Sequence, residues 1–209
     1  MSTLKVLGLA LAFAGATSFA HADDKTVAKP AAKPAAADAA GDQQKMMEAY
    51  AHMAEVRAEH KQLAFFDGNW TTKSQMWMDP KGAPMESGGT SKGESLWDGR
   101  IHTSAYEGDF MGQKFYGRGE LGFENVTGRY FNTWRDSGST GVWLAYGTYD
   151  PATKSYTFRG QMPDPMKKGA MTKVREVMRV VDDNHWSLDW YETHGGVESK
   201  KMQIDYARQ

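Results

Sequence analysis

Short runs of aromatic and β-branched residues alternate with clusters of turn residues from Trp70 almost to the end of the chain. No helical periodicity separates these runs, so the pattern predicts an antiparallel meander of strands. We predict ten strands, at residues 70–78, 89–97, 101–108, 114–123, 129–135, 142–149, 155–161, 172–181, 185–193 and 198–206.

Ten up-and-down strands leave two long unpaired edges unless the sheet closes on itself. Polar and aromatic residues occur on both faces of most of the predicted strands. The sequence therefore predicts an all-β fold: a closed antiparallel up-and-down barrel of about ten strands, with a partly polar lumen.

Two of the predicted turns share one pattern. Residues 123–130, FENVTGRY, and residues 149–156, YDPATKSY, each place an acidic residue and a threonine between two aromatic residues. Side chains of this kind bond the local backbone of a turn, and the flanking aromatic residues pair across the strands. We expect two tight hairpins.

One helix is predicted before the barrel domain, which we place at residues 63–209. Residues 43–62 consist mainly of strong helix formers. Apolar residues recur near helical spacing on one side of this segment, at Met46, Met47, Tyr50, Met53 and Val56. We expect an amphipathic helix that lies against the outside of the barrel or over one of its ends.

The first 42 residues predict export followed by a linker. Lys5, the apolar stretch after it and the sequence Ala20-His21-Ala22 are typical of a signal peptide that is cleaved after Ala22. Residues 23–42 are rich in Ala and Pro and cannot bury enough surface to fold, so we predict a disordered linker. The expected location is the periplasm or the medium outside the cell.

Charge and cysteine content narrow the class of partner. The chain has 25 basic residues, 26 acidic residues and no cysteine, and removal of residues 1–22 takes away one lysine. Nucleic-acid and anionic-membrane partners require a basic excess that is missing here, so we expect neither. Without cysteine there is no disulfide and no thiolate metal site, so the hydrophobic core must supply the stability. The composition leaves the oligomeric state open.

The start of the first strand resembles a known barrel entrance. Gly68-Asn69-Trp70 is similar to the Gly-x-Trp entrance of lipocalin-type (calycin) barrels, where the Trp packs across the closed end beneath a basic residue of the last strand. The resemblance implies that Gly68, Trp70 and Arg208 close the barrel. A guanidinium over an indole face contributes about 1–2 kcal/mol when it is partly desolvated.

The span from about His60 to Ala207 also resembles a bacterial family, domain-of-unknown-function family 1579. The resemblance lies in the segments HKQLAFFDGNWTTKSQMWMDPKGAPMESGGTS, YEGDFMGQKFYGRGELGFENVTGRYFNTWRDSGSTG, GTYDPATKSYTF and MTKVREVMRVVDDNHWSLDWYE. It implies a calycin-like β-barrel that is usually exported. It implies no catalytic residue, because no activity is established for the family.

Several carboxylates stand beside aromatic or basic residues on the predicted strands: Glu107, Asp136, Glu176 and Glu192. Alternation places Trp134 with Asp136 on one face, and Trp186 and Trp190 with Glu192 on one face. Such a lumen can bind a ligand or shift a carboxylate pKa. Alternatively, these groups form an internal network that fills a narrow barrel. The ligand-binding residues that we predict are Tyr106, Glu107, Trp134, Asp136, Arg175, Tyr191 and Glu192.

Metal and nucleotide motifs are weak. The histidines show no metal-binding pair at short spacing, and the match of residues 117–122 to Gly-x-Gly-x-x-Gly lies inside a predicted strand. Methionines 46, 47, 53, 76, 78 and 85 admit a soft copper site. We favour instead a Met-rich surface that packs the helix on the barrel. We predict no metal, no cofactor and no catalytic residue.

The predicted function is the binding of a small amphipathic or hydrophobic molecule in the mouth of the barrel. Two alternatives remain: a carboxylate-dependent isomerase or hydrolase in the lumen, and a non-catalytic envelope module that acts through the helix and linker. Lys, Arg and Glu occupy both faces of most strands, so we do not expect the barrel to span a membrane.

Overall fold

The structure, a computed structural model, describes residues 36–209. The predicted signal peptide and most of the predicted linker lie outside these residues. The chain divides into two units, Met1–Ala40 and Gly41–Gln209. The strands all belong to the second unit, and only the beginning of one helix represents the first unit among the described residues.

Ten antiparallel strands form a closed barrel in which each strand pairs with the next and the first pairs with the last. The predicted fold class is therefore confirmed. The strands are β1 (Gly68–Met76), β2 (Met85–Leu96), β3 (Ile101–Phe110), β4 (Gln113–Glu124), β5 (Arg129–Asp136), β6 (Trp143–Asp150), β7 (Ser155–Pro163), β8 (Met171–Asp182), β9 (His185–His194) and β10 (Val197–Arg208).

Burial alternates along the strands, as the side-chain period of two requires. On β1, Trp70 and Thr72 are buried while Thr71 and Lys73 between them are exposed. Cross-strand pairing carries this alternation around the barrel, because directly opposed residues face the same side of the sheet. Each strand thus has an inward set of side chains and an outward set.

One end of the barrel is closed by an aromatic core. A short helix, α2 (Ala58–Leu63), and a 3-10 turn (Ala64–Phe66) lead into β1 and place Leu63 and Phe66 in this core. Phe66 lies edge-on to Trp186, with ring centres 5.0 Å apart, and Trp186 stacks on Tyr206 at 3.5 Å. Burial of each such ring contributes about 2–3 kcal/mol to folding.

Trp70 and Arg208 complete the closed end, as the resemblance to calycin barrels implied. Trp70 is 1% exposed, and the Arg208 guanidinium lies 4.1 Å from its ring centre. The guanidinium also donates hydrogen bonds to the carbonyls of Phe65 and Asp67, both at 2.8 Å. Gly68 has a φ of +109°, and a Cβ there would stand 2.8 Å from Nη1 of Arg208.

The two predicted hairpins have the expected construction. The Glu124 carboxylate accepts hydrogen bonds from the backbone N–H groups of Val126 and Thr127. The Asp150 carboxylate accepts bonds from the Ala152 N–H and from the Thr153 hydroxyl. The Thr127 side chain and the N–H groups of Val126 and Thr127 hold the pKa of Glu124 below its usual value, and the Thr153 hydroxyl and the Ala152 N–H do the same for Asp150. The acidic residue of each turn therefore fixes the turn locally.

The predicted helix at residues 43–62 is two helices in the structure. The first, α1 (Ala36–Ala54), ends before residues 55–57, which are not helical, and α2 follows. Barrel side chains bind the carbonyls at the end of α1: Asn125 Nδ2 donates to His52 and Glu55, and Arg100 donates to Ala54. The His52 carbonyl also accepts the Glu55 N–H at 3.3 Å, and the barrel side chains supply the further partners that cap the end of the helix.

The apolar side of α1 does not pack on the barrel. Four side chains on it are 52–60% exposed: Met46, Met47, Tyr50 and Met53. The expectation that a Met-rich surface packs the helix on the barrel is therefore wrong for these residues. Among residues 36–209, no helix is long and apolar enough to cross a membrane.

Candidate functional site

The interior of the barrel between the aromatic core and the opposite end is the candidate site, which we call the lumen. Four inward side chains from different strands are only partly buried although they lie within the barrel wall: Ser104, Asn132, Leu188 and Ile204. The small residues Gly117 and Gly119 on β4 allow the Trp134 ring to lie directly against the barrel wall. These four side chains therefore keep some exposed surface inside the barrel.

A buried carboxyl group lies at the centre of this lumen. Glu176, on β8, is 2% exposed. Asn132 lies on β5, which β6 and β7 separate from β8 in the barrel wall, and it donates a hydrogen bond of 2.6 Å to Glu176 Oε1. Burial raises the pKa of Glu176 to about 7, although the Asn132 amide and the nearby Trp143 indole favour the charged form. Near neutral pH this group can therefore donate or accept a proton.

Polar atoms without partners surround the same region. The indole N–H of Trp143, a residue 6% exposed, stands near Glu176 but makes no hydrogen bond of normal geometry, and the hydroxyl of Thr72, a residue 2% exposed, makes none either. Thr72 is the cross-strand neighbour of Tyr206, and Glu176 raises the pKa of the Tyr206 hydroxyl further above its usual value. Buried polar groups are almost always hydrogen-bonded, so unpartnered ones beside a lumen suit a polar ligand atom.

Two indole–carboxylate pairs stand above this centre, nearer the open end. Trp134 Nε1 donates to Asp136 at 2.9 Å on β5, and Trp190 Nε1 donates to Glu192 at 3.1 Å on β9. In each pair the carboxylate follows the indole by two residues, so both side chains face inward. Trp143 lies between them: it is the cross-strand partner of Trp134, and its ring centre is 4.8 Å from that of Trp190.

Four of the seven predicted ligand-binding residues face this lumen. Trp134, Asp136 and Glu192 belong to the indole–carboxylate pairs. Tyr106 is 8% exposed and lies edge-on to Trp134, with ring centres 6.4 Å apart. The structure therefore brings these four side chains together, as the strand pattern predicted.

The other three predicted residues, Glu107, Arg175 and Tyr191, point outward, so their assignment to the lumen is wrong. Each directly follows or precedes an inward residue on its strand, and neighbours in a strand face opposite sides. Arg175 lies 3.9 Å from the Tyr191 ring centre and pairs with Glu198 at 2.6 Å. This outer cluster raises the pKa of Arg175 and braces β8, β9 and β10 from outside.

Sequence reasoning did not select the residues at the centre of the lumen. Glu176 appeared only among the candidate carboxylates, and Asn132, Trp143 and Thr72 were not selected. The alternation on β8 contained the signal, because Glu176 is the single charged residue in the otherwise apolar set Val174, Met178 and Val180. Asn132 has the same inward parity as Trp134. The contact between Asn132 and Glu176 spans non-adjacent strands, which the sequence pattern does not encode.

Ser95, His102 and Asp67 lie together at the closed end, but they do not form a catalytic triad. Nδ1 of His102 contacts both Asp67 Oδ1, at 2.9 Å, and Ser95 Oγ, at 3.1 Å. The other ring nitrogen is buried without a partner. A triad base needs its acid and its nucleophile on opposite nitrogens, so this cluster braces the closed end instead.

Within residues 36–209, no three His, Asp or Glu side chains are grouped to hold a metal ion. A groove of about 440 Å³ lies on the outer face below the β5–β6 loop and is lined by Tyr116, Arg118 and Arg135, among others. It adjoins the open end of the lumen, because its lining also includes the inward residues Tyr106 and Asp136.

Comparisons with known proteins place the chain in a family and support the fold. The family model described as "Protein of unknown function (DUF1579)" matches residues 55–208. No curated protein matches the sequence at a significant level. The crystal structure of Rv2717c from M. tuberculosis is similar, with a TM-score of 0.53 and 13% identity over 74% of this chain and 99% of that chain. At this identity the similarity concerns the fold alone.

Two further solved structures show lower similarity. A redesigned β-barrel has a TM-score of 0.38 and 12% identity over 70% of this chain and 93% of its own. A protein with unknown function from the DUF3598 family of Nostoc punctiforme has a TM-score of 0.23 and 7% identity over 74% of this chain and all of its own, 100%. Neither value supports a conclusion about function.

Proposed function

The chain belongs to the DUF1579 family of proteins of unknown function, and from the geometry of its lumen we propose that it binds a small amphipathic molecule inside the barrel. The observation that carries the proposal is the group of polar atoms at Glu176, Trp143 and Thr72, two of which have no partner, inside a partly exposed, aromatic-lined space. Ligand sites are mostly apolar cavities with a few convergent polar groups.

The lumen suits an amphipathic ligand, one with an apolar part and a polar group. The ring faces of Trp134, Trp143 and Trp190 offer an apolar surface on which a ring or chain can pack. The carboxyl of Glu176 and the N–H of Trp143 offer one group that can donate or accept and one that donates. A polar group of the ligand placed there would satisfy atoms that the protein leaves unpaired.

Native mass spectrometry of the purified protein, after exposure to envelope lipid and metabolite extracts, tests the proposal. Ser104 faces the lumen and Ala105 faces outward, so Ser104→Phe fills the lumen and Ala105→Phe is the matched control. We expect a bound species on the wild type and on Ala105→Phe, and its loss from Ser104→Phe. Unliganded spectra of the wild type across all extracts would contradict the proposal.

Glu176 also supports a second candidate function, a carboxylate-dependent isomerase or hydrolase. A pKa of about 7 is well suited to general acid–base catalysis near neutral pH. Incubation of the protein with the same extracts should then consume one compound and yield another, and Glu176→Gln should abolish the conversion. A conversion that persists in Glu176→Gln would exclude this role for the carboxyl.

We also propose that the barrel functions in the periplasm or outside the cell, because residues 1–22 have the pattern of a signal peptide. Expression of the full chain in a bacterium, followed by fractionation and N-terminal sequencing, tests this. The expected product is periplasmic or secreted and begins at Asp23. A cytoplasmic product that keeps residues 1–22 would contradict the proposal.

A further inference from the structure

Among the Asp, Glu, Lys and Arg side chains of β1 to β9, only acidic ones occupy inward positions. On β1 to β9 every lysine and arginine lies at an outward position, whereas Asp136, Glu176 and Glu192 lie at inward positions. On β10, Arg208 is engaged at the closed end, and Lys201 occupies a bulge outside the regular alternation. No lysine or arginine of β1 to β9 therefore faces the lumen, and the basic group on these carboxylates is the half-exposed imidazole of His194, whose Nε2 lies 2.9 Å from Glu192 Oε2.

The indole rings of the lumen attract the same class of group, a cation, as its carboxylates do. Trp134, Trp143 and Trp190 follow one another across the lumen, and a carboxylate stands beside each of them. The indole N–H groups of Trp134 and Trp190 are taken up by Asp136 and Glu192, and both side chains are only partly buried, so their electron-rich rings remain partly exposed. Indole faces attract cations through their quadrupole, and cages of such faces are a known means of binding ammonium groups.

We infer that the ligand of the lumen carries a positively charged amine or quaternary ammonium group, held between the indole faces and the inward carboxylates. The inference rests on the proposed function and specifies the chemical class of its ligand.

Other classes of head group fit less well. An anionic head group, such as a fatty-acid carboxylate, would meet like charges from Asp136 and Glu192, with no inward lysine or arginine on β1 to β9 to offset them. A neutral head group would use the same hydrogen bonds, but it would gain nothing from the charge of the lumen. The cation is the class that uses both the rings and the carboxylates.

Three probes with one aromatic body test the inference: phenethylamine, 2-phenylethanol and phenylacetate. Calorimetric titration at about pH 8, where the amine is protonated and carboxylates are ionised, gives their affinities for the full mature protein. We expect the amine to bind about tenfold more tightly than the alcohol, and phenylacetate to bind more weakly than the alcohol. Added salt should weaken binding of the amine and leave that of the alcohol unchanged.

Single substitutions of carboxylates then show which of them strengthen the binding of phenethylamine. Glu192→Gln and Asp136→Asn should each lower the affinity for phenethylamine by about three- to tenfold, with little change for the alcohol. Glu107→Gln removes a carboxylate from the outer face of β3 and should change neither affinity. If a lumen variant fails to fold, the salt dependence of the wild type still decides the question.

An alcohol or phenylacetate affinity equal to that of the amine would overturn the inference and leave the proposed lumen site in place. So would an amine affinity that Glu107→Gln reduces as much as Glu192→Gln does. If none of the three probes binds, the inference fails, and the extract experiment with Ser104→Phe separately decides whether the lumen binds any ligand.

Discussion

The Arg208 guanidinium lies 4.1 Å from the ring centre of Trp70, although 138 positions separate the two residues in the chain. They are cross-strand partners on β10 and β1, the pair of strands that closes the barrel. The same guanidinium binds two carbonyls in the segment that precedes β1. One side chain thus joins the first strand, the last strand and the entry segment.

Replacement of Arg208 with lysine should lower the free energy of unfolding by about 1–2 kcal/mol, because lysine keeps the charge but cannot bind both carbonyls while it covers the ring. Urea unfolding followed by tryptophan fluorescence gives this value. Arg135→Lys, on the exposed outer face, is the control and should stay within about 0.5 kcal/mol of the wild type. Equal effects of the two substitutions would show that the Arg208 contacts contribute no stability.

Gly68→Ala should destabilise the barrel more than Gly112→Ala. Both glycines have positive φ, +109° and +78°, but only the Cβ at position 68 would meet another group, Nη1 of Arg208. The shared backbone strain costs about 1–3 kcal/mol, so the difference between the two variants reports the displaced guanidinium. The same urea unfolding measures both, and equal losses would mean that Arg208 moves aside freely.

The buried carboxyl of Glu176 should make the barrel less stable as the pH rises. Its pKa is about 7 in the folded protein, against an ordinary value of 4.5. Between these values the folded state holds a proton that the unfolded state has released, so the free energy of unfolding falls with rising pH. The contribution is complete below about pH 4.5 and is lost above about pH 7, and it amounts to about 3 kcal/mol at most.

Glu176→Gln isolates this effect from other titrating groups, because glutamine keeps the shape and does not titrate. Unfolding by urea at about pH 4.5 and about pH 8 should show that the variant gains stability relative to the wild type only at the higher pH. The low-pKa carboxyls of Glu124, Asp150, Asp182 and Glu198 are common to both proteins and cancel in the comparison. A difference between the variant and the wild type that does not depend on pH would refute the assignment.

Asn125→Ala should loosen α1 and leave the barrel intact, because the Asn125 amide binds carbonyls at the end of this helix. Hydrogen exchange followed by mass spectrometry should show faster exchange in residues 43–57 and unchanged exchange in the strands. Val126→Ala, at the neighbouring exposed position, is the control. Unchanged exchange in Asn125→Ala would mean that Arg100 alone holds the helix end.

Most of the barrel follows from local features of the sequence. Turn residues and the alternation of side chains specify ten strands, and Gly68, Trp70 and Arg208 specify the closed end. The errors at the site came from pairing adjacent residues: Tyr106 with Glu107, and Tyr191 with Glu192. Adjacent residues in a strand face opposite sides, so only one member of each pair can reach the lumen.

The remaining features depend on distant contacts. The break at residues 55–57 separates α1 from α2 where Asn125 and Arg100, far along the chain, bind the carbonyls of α1. The contact of Asn132 with Glu176 joins strands that are not neighbours. Helix periodicity and strand alternation describe neighbours within a segment or in adjacent strands, so neither pattern predicts these arrangements.

The Trp134 ring rests on a stretch of wall that has no side chains of its own, because a Cβ on Gly117 would overlap the ring and one on Gly119 would crowd it at 3.3 Å. The Trp134 ring therefore occupies the inner side of the wall at the level of Gly117 and Gly119. A smaller side chain at position 134 would uncover the backbone of Gly117 and Gly119, so one substitution is enough to reshape the interior at that level.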